Sequence, residues 1–198
     1  MRQIQTDNVG LTALILVVLS WVAFALIFAF RKKVPKAPEA KRDSSSKWGI
    51  VLQACAITLV WAIPRAHWWP VSGWLGAEVT LAAVAVALAY LSSWLCYRAV
   101  QTLGKQWTYA ARVVEGHELI TQGPYAVVRN PIYLGMFGVM FSTGLVFSTW
   151  WALLLASVLF LVGNHIRIQA EEKLLRETFG SKFDEYVRNV PAMFPRLW

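Results

Sequence analysis

Little in this sequence is available for a disulfide framework or a metal centre. Its two cysteines, Cys55 and Cys96, both fall inside apolar runs, and its three histidines, His67, His117 and His165, lie far apart. No C-x-x-C, H-E-x-x-H, G-x-G-x-x-G, P-loop or G-x-S-x-G pattern occurs, so the usual zinc, nucleotide and serine-hydrolase devices are missing. For each lone histidine a structural or interfacial place is the simpler reading than a metal ligand. Charge is scarce as well. Charged residues are 15% of the chain, against about 25% in soluble domains, and acidic residues are scarcest, 11 against 19 basic ones. The resulting net charge of +8 is not accompanied by the aromatic and basic strand pattern of an RNA binder. No nucleic-acid partner is therefore expected.

What the chain has instead is apolar length. Hydrophobic residues make up 57% of it, and 11 are Trp, the residue of membrane interfaces. A bilayer core of about 30 Å takes roughly 20 apolar helical residues. Val9 to Phe30 is a first such span, too long for a signal-peptide core and followed by no small-residue cleavage site. A basic, Pro- and Ser-containing linker, 31–47, comes next. Trp48 to Pro64 forms a second span, with Gln53 as its one strongly polar residue. A Trp-rich turn containing His67, Trp68, Trp69 and Trp74 leads to a third, Val79 to Tyr97. Pro131 to Ile166 carries no formal charge and is about right for two spans, folded as a hairpin at Phe147 to Trp151, with Pro131 near the first helical position. Arg167 to Phe179 is charged but helical in pattern, Gly180 reads as its stop, and Ser181 with Asp184 reads as a restart cap. Phe183, Tyr186, Val187 and Val190 then give a C-terminal amphipathic helix.

The fold expected is an all-α integral membrane protein of five transmembrane helices, with a polar cytosolic loop and a C-terminal amphipathic helix. Residues 1–102 hold the first three spans, and 103–198 form a second region with the loop, the hairpin at 131–166 and the last helix. Five spans put 17 of the Lys and Arg on one face: seven in the first linker, four after span three and six in the tail. Positive charge marks the cytosolic side, which predicts an outside N-terminus and a cytosolic C-terminus, in a bacterial inner membrane or an endoplasmic reticulum.

Two polar segments on that face can carry chemistry. His117 to Tyr133 contains Gly123-Pro124 and Asn130-Pro131 turns with polar and aromatic residues between them. It is either an ordinary surface loop or one whose backbone groups read a nucleoside edge. Arg167 and Glu171 stand four apart, on one helix face, where span five leaves the bilayer. They form either a solvated salt bridge or a charge pair that holds an ionic substrate at the mouth of the bundle.

In order, Gly123-Pro-Tyr, Val128-Arg-Asn-Pro-Ile-Tyr-Leu-Gly135, Arg167-x-x-x-Glu171-Glu172, Phe179-Gly-x-x-Phe-x-x-Tyr186 and Val190-Pro191 resemble the isoprenylcysteine carboxyl methyltransferase family and its phospholipid methyltransferase relatives. The resemblance covers Leu103 to Pro195. It implies S-adenosylmethionine as methyl donor, leaving as S-adenosylhomocysteine. It implies that His117, Glu118, Leu119, Ile120 and Tyr125 line the adenosine, and that Arg129, Asn130, Pro131, Ile132 and Tyr133 lie along the cofactor. Glu171 then contacts the cofactor, and Arg167 faces the substrate carboxylate. The partner implied is a lipophilic or prenylated substrate drawn from the lipid bilayer. Two positions depart from the family: Asn130 stands where His is usual and cannot titrate, and Phe183 stands where Tyr is frequent.

The activity expected is methylation of the carboxylate of an isoprenylcysteine-like substrate. Its alternatives are a phospholipid, amine or thiol acceptor, a nicotinamide-dependent sterol-type reductase, and a non-enzymatic membrane scaffold. A reductase of that type usually has more spans. A transporter or scaffold predicts charges along a path inside the spans, and here the charge pair sits at an end.

Overall fold

The computed structural model describes residues 2–30, 39–42, 46–65, 75–104, 112–114 and 118–195. The Trp-rich turn at 66–74, His117, and most of the basic linker lie outside them. Among the described residues six helices carry the fold: α1 (Arg2–Ala29), α2 (Ser46–Ala62), α3 (Leu75–Leu103), α4 (Pro131–Phe147), α5 (Trp150–Phe179) and α6 (Ser181–Asn189). Three segments, in α1, α3 and α5, are long and apolar enough to cross a membrane, while α2 and α4 are apolar but 17 residues each. At 1.5 Å per residue, 17 residues make about 26 Å, slightly less than the hydrocarbon core.

The pattern of exposure is that of a protein solvated by lipid. Large apolar side chains such as Ile15, Leu19, Leu91, Trp94 and Leu154 face outwards. The interior is small or hydroxylated, with Ala56, Ala85, Ala89, Ser20, Ser92, Ser142 and Thr143 all buried. Lipid offers no hydrophobic drive to pair helices, so close backbone approach and interhelical hydrogen bonds do the work. Gly49 and Gly163 show the first: a Cβ on Gly163 would lie 2.8 Å from the Gly49 carbonyl, and one on Gly49 would collide with Arg167 and the Gly163 carbonyl. This contact brings α2 against α5. The Trp21 indole shows the second, donating from α1 to Thr143 of α4 at 2.9 Å.

Loop contacts fix which helix ends share a side. The turn after α2 meets the turn between α4 and α5: Arg65 N donates to Phe147 O, Thr149 N to Ile63 O, and the Arg65 guanidinium to Ser148 O. At the opposite end, two short strands absent from the sequence expectation, β1 (Glu39–Arg42) and β2 (Arg112–Val114), pair antiparallel. They tie the first linker to the stretch after α3. Extended backbone in polar linkers needs partners for its N–H and C=O groups, and a ladder supplies them.

The hairpin turns at Ser148 and Thr149, inside the expected window, and Pro131 is at the first helical position of α4. Two details differ from expectation. The charged segment after Ile166 is no separate element, because α5 runs unbroken from Trp150 to Phe179; a helix satisfies its backbone internally on either side of the interface. Gly180, at φ 54°, does end α5, but it is also the N-cap of α6. No side-chain cap forms, since Asp184 turns to Arg176 instead, at 2.8 Å. Helix α6 buries Phe183 and Tyr186 and exposes Lys182, Glu185 and Arg188.

Candidate functional site

The start of α4, the charged part of α5 and the tail after α6 converge at one end of the bundle. Backbone pairing holds the first and last together: Arg129 N donates to Pro191 O at 2.9 Å and Asn130 N to Ala192 O at 3.0 Å. The Asn130 side chain adds a bond from Nδ2 to the same Ala192 carbonyl at 2.9 Å. At this position an amide therefore straps the tail to the loop. Arg129 completes the strap. Its Nε and Nη2 donate to Glu172 Oε1 at 2.9 and 2.7 Å, while Nη1 donates to the carbonyls of Val187 and Val190.

Beneath α6, the Tyr186 hydroxyl donates to the Tyr125 carbonyl at 2.6 Å. Burial pushes both phenols above their ordinary range; the Glu171 charge adds to this at Tyr125, while Arg129 opposes it at Tyr186. Leu119 packs on the cluster of Phe183, Tyr186 and Val190. Glu118 is exposed and Ile120 half-buried. Pro131 is buried, and the Ile132 carbonyl accepts a contact from Cys96 Sγ at 3.5 Å.

Three expected residues meet directly. Tyr133, buried on α4, donates its hydroxyl to Glu171 Oε1. The Arg167 guanidinium lies over the Tyr133 ring at 4.7 Å, a cation–π arrangement. Its Nη2 is 3.9 Å from Glu171 Oε1, an electrostatic contact longer than a hydrogen bond. Arg167 is 8% exposed. A cation and a carboxylate, both steered by one tyrosine, thus sit where the apolar part of α5 ends.

Sequence reading overlooked the groups behind them. Arg167 Nη1 donates to Gln53 Oε1 on α2 at 2.9 Å, Gln53 Nε2 donates to Asn164 Oδ1 at 2.5 Å, and Asn164 Nδ2 contacts Met193 Sδ at 3.5 Å. The signal was a polar amide inside an apolar span, costly there without a partner. Gln53 was visible as such. Glu172 stood in the quoted motif without a partner assigned to it, and nothing in the sequence singled out Asn164.

Comparison with known proteins agrees with this architecture. A family model described as phospholipid methyltransferase matches residues 80–182, slightly more than half of the chain. The nickel-cobalt-cadmium resistance protein NccN of Alcaligenes xylosoxydans xylosoxydans is 36% identical over 100 residues, which are 48% of this chain and 45% of that protein. Protein-S-isoprenylcysteine O-methyltransferase of Schizosaccharomyces pombe is 29% identical over 115 residues, 57% of this chain and 49% of that one. Protein-S-isoprenylcysteine O-methyltransferase B of Arabidopsis thaliana is 25% identical over 141 residues, 66% of this chain and 62% of that one. The chain spans about half the length of the first curated relatives it matches. The matched segment runs from α3 through the loop and hairpin into α6, and so takes in Tyr133, Arg167 and Glu171; by this match the chain belongs to the phospholipid methyltransferase family.

Proposed function

We propose that this chain is an integral membrane methyltransferase that uses S-adenosylmethionine and methylates the carboxylate of a lipophilic, isoprenylcysteine-like acceptor. One observation carries the reading: Arg167 and Glu171 share Tyr133 at the end of an otherwise apolar bundle. The donor set suits the cofactor. Glu171 offers a carboxylate to its cationic and hydroxyl groups, and 118–120 with Tyr125 offer backbone and aromatic surface to its adenosine. Arg129 and Asn130 act on the same region by pinning the tail. The same face is the cytosolic one in this reading, as the charge distribution asks.

When bound, S-adenosylmethionine supplies an activated methyl group. The chain itself has little proton chemistry to perform, because a carboxylate acceptor is already a nucleophile at neutral pH. Arg167 holds that carboxylate through paired hydrogen bonds. Its place over the Tyr133 ring, 4.7 Å from the centroid, closes that side of the guanidinium and limits the direction from which the acceptor approaches. Alignment and proximity of two held reactants supply the rate. The lipid tail stays in the bilayer and enters between helices.

The test is a thermal shift of the purified protein with S-adenosylhomocysteine, and separately with a reduced nicotinamide dinucleotide. A shift with S-adenosylhomocysteine alone is expected; a shift only with the nicotinamide overturns the reading. Transfer of labelled methyl from S-adenosylmethionine then sorts the acceptor. An ester releases its methyl in base, whereas a methylated amine or thioether keeps it.

A further inference from the structure

We propose that Gln53 is a positioning and specificity residue: a neutral amide that orients Arg167 without adding a negative charge beside it. The proposal rests on the carboxylate-methylating reading above, but it concerns a helix, α2, that lies outside the family match at 80–182.

The polarity of the hydrogen-bond chain is fixed from one end. A guanidinium can only donate, so Gln53 must present Oε1 to Arg167 Nη1 at 2.9 Å. Its Nε2 must then find an acceptor, and Asn164 Oδ1 provides it at 2.5 Å. Asn164 in turn directs Nδ2 at Met193 Sδ, in the tail that Arg129 and Asn130 strap down. Gln53 is 3% exposed and Asn164 1%, so both side chains are enclosed in a close-packed interior. Gly49, one turn before Gln53, has no space for a Cβ against the Arg167 stem. Helix α2 therefore fixes Arg167 at two points.

The neutrality of the amide is the specific element. Glu171 Oε1 accepts from the Tyr133 hydroxyl and also stands 3.9 Å from Arg167 Nη2, so one carboxylate already faces the guanidinium. A carboxylate in place of Gln53 would sit at hydrogen-bonding distance from Nη1 and neutralise the guanidinium from α2. An amide of the same shape orients the group without placing a second negative charge beside it.

The test uses the full-length protein in detergent, with N-acetyl-S-farnesylcysteine and its methyl ester as binding probes, followed by tryptophan fluorescence. The wild type is expected to bind the acid more tightly than the ester. Gln53→Glu should weaken the acid by about tenfold and leave the ester unchanged, the loss of one charge-assisted contact. Gln53→Met, which keeps the volume and adds no charge, should weaken the acid by about threefold through lost orientation. Affinity for S-adenosylhomocysteine should change by less than the acid affinity in both, since Gln53 bonds Arg167 and Asn164 rather than Glu171. An unchanged acid-to-ester ratio in both variants overturns the proposal, as does a wild type without acid preference. Should Gln53→Glu fail to fold, Gln53→Met decides. If the wild type shows the acid preference but binds no S-adenosylhomocysteine, the methyltransferase reading fails while the assignment of Gln53 stands.

Discussion

Arg129 closes on Glu172 with two hydrogen bonds, at 2.9 and 2.7 Å, and its remaining edge reaches the carbonyls of Val187 and Val190. One side chain thus joins the loop before α4, the charged end of α5 and the tail. Both partners are nearly buried, with side chains 9% and 11% exposed. Removing one partner of such a pair leaves the other uncompensated, at about 3 kcal/mol. Arg129→Ala should lower the thermal midpoint by roughly 6–12 °C and open the tail to protease. Arg129→Lys should restore little, because a single ammonium cannot serve a carboxylate and two carbonyls in one plane. Protease resistance equal to wild type in Arg129→Ala would show that the strap is dispensable.

Arg167 and Glu171 are expected to separate kinetically. Glu171→Ala should weaken S-adenosylhomocysteine by about 10- to 30-fold, the range of a lost charged hydrogen bond. Arg167→Ala should leave that affinity nearly intact and reduce turnover by about 100-fold, as loss of alignment does. Calorimetric binding beside steady-state kinetics distinguishes them; matching losses in both variants, or normal activity in both, would contradict this division of roles.

Glycine substitutions separate space from backbone conformation. Gly163→Ala places a methyl 2.8 Å from the Gly49 carbonyl, so the α2–α5 contact must spread, at about 1–3 kcal/mol. Gly180→Ala meets no atom within 4 Å but sits at φ 54°, where a Cβ costs about 1–2 kcal/mol. Gly76→Ala has open space and no such φ, and adding a methyl to a helix there should stabilise slightly. Thermal midpoints should follow that order, and only Gly163→Ala should also disturb Arg167 and hence turnover.

Alkaline stability should depend on Tyr186. Its phenol is raised above the ordinary range by burial, so the folded state keeps a proton that the unfolded chain gives up near pH 10. Stability from this source is fully present below about pH 10 and is lost as pH rises through the higher folded value. Tyr186→Phe removes the bond to the Tyr125 carbonyl and should flatten the alkaline limb of a denaturation-versus-pH profile. An unchanged limb would assign the effect to another group.

Much of the architecture was readable from the residues alone. Apolar length and Pro131 located the helices, and Gly180 located the end of α5. Arg167 and Glu171 stood out by their spacing, Tyr133 only through the family resemblance, and the fold brings the three into contact. The buried relay was not. Gln53 and Asn164 are 111 positions apart, and which polar amides meet across a bundle is decided by helix rotation, which an apolar run of low amphipathicity leaves undefined. The β1–β2 pairing was invisible for a related reason: the segments are only four and three residues long, and their partnership depends on the helices that bring them together.

The unbroken course of α5 has a consequence for depth. Trp150 and Trp151 are exposed at one end of this helix, and at 1.5 Å per residue Arg167 lies roughly 26 Å further along, with Glu171 at about 32 Å. That interval matches the thickness of the hydrocarbon layer, about 30 Å. The helix therefore separates its exposed Trp pair from Arg167 and Glu171 by about the depth of that layer. A thicker bilayer draws the pair under the headgroups, and a thinner one lifts it clear of them. Under the proposed function, an acceptor has to bring its carboxylate to that depth, whichever lipid tail it carries.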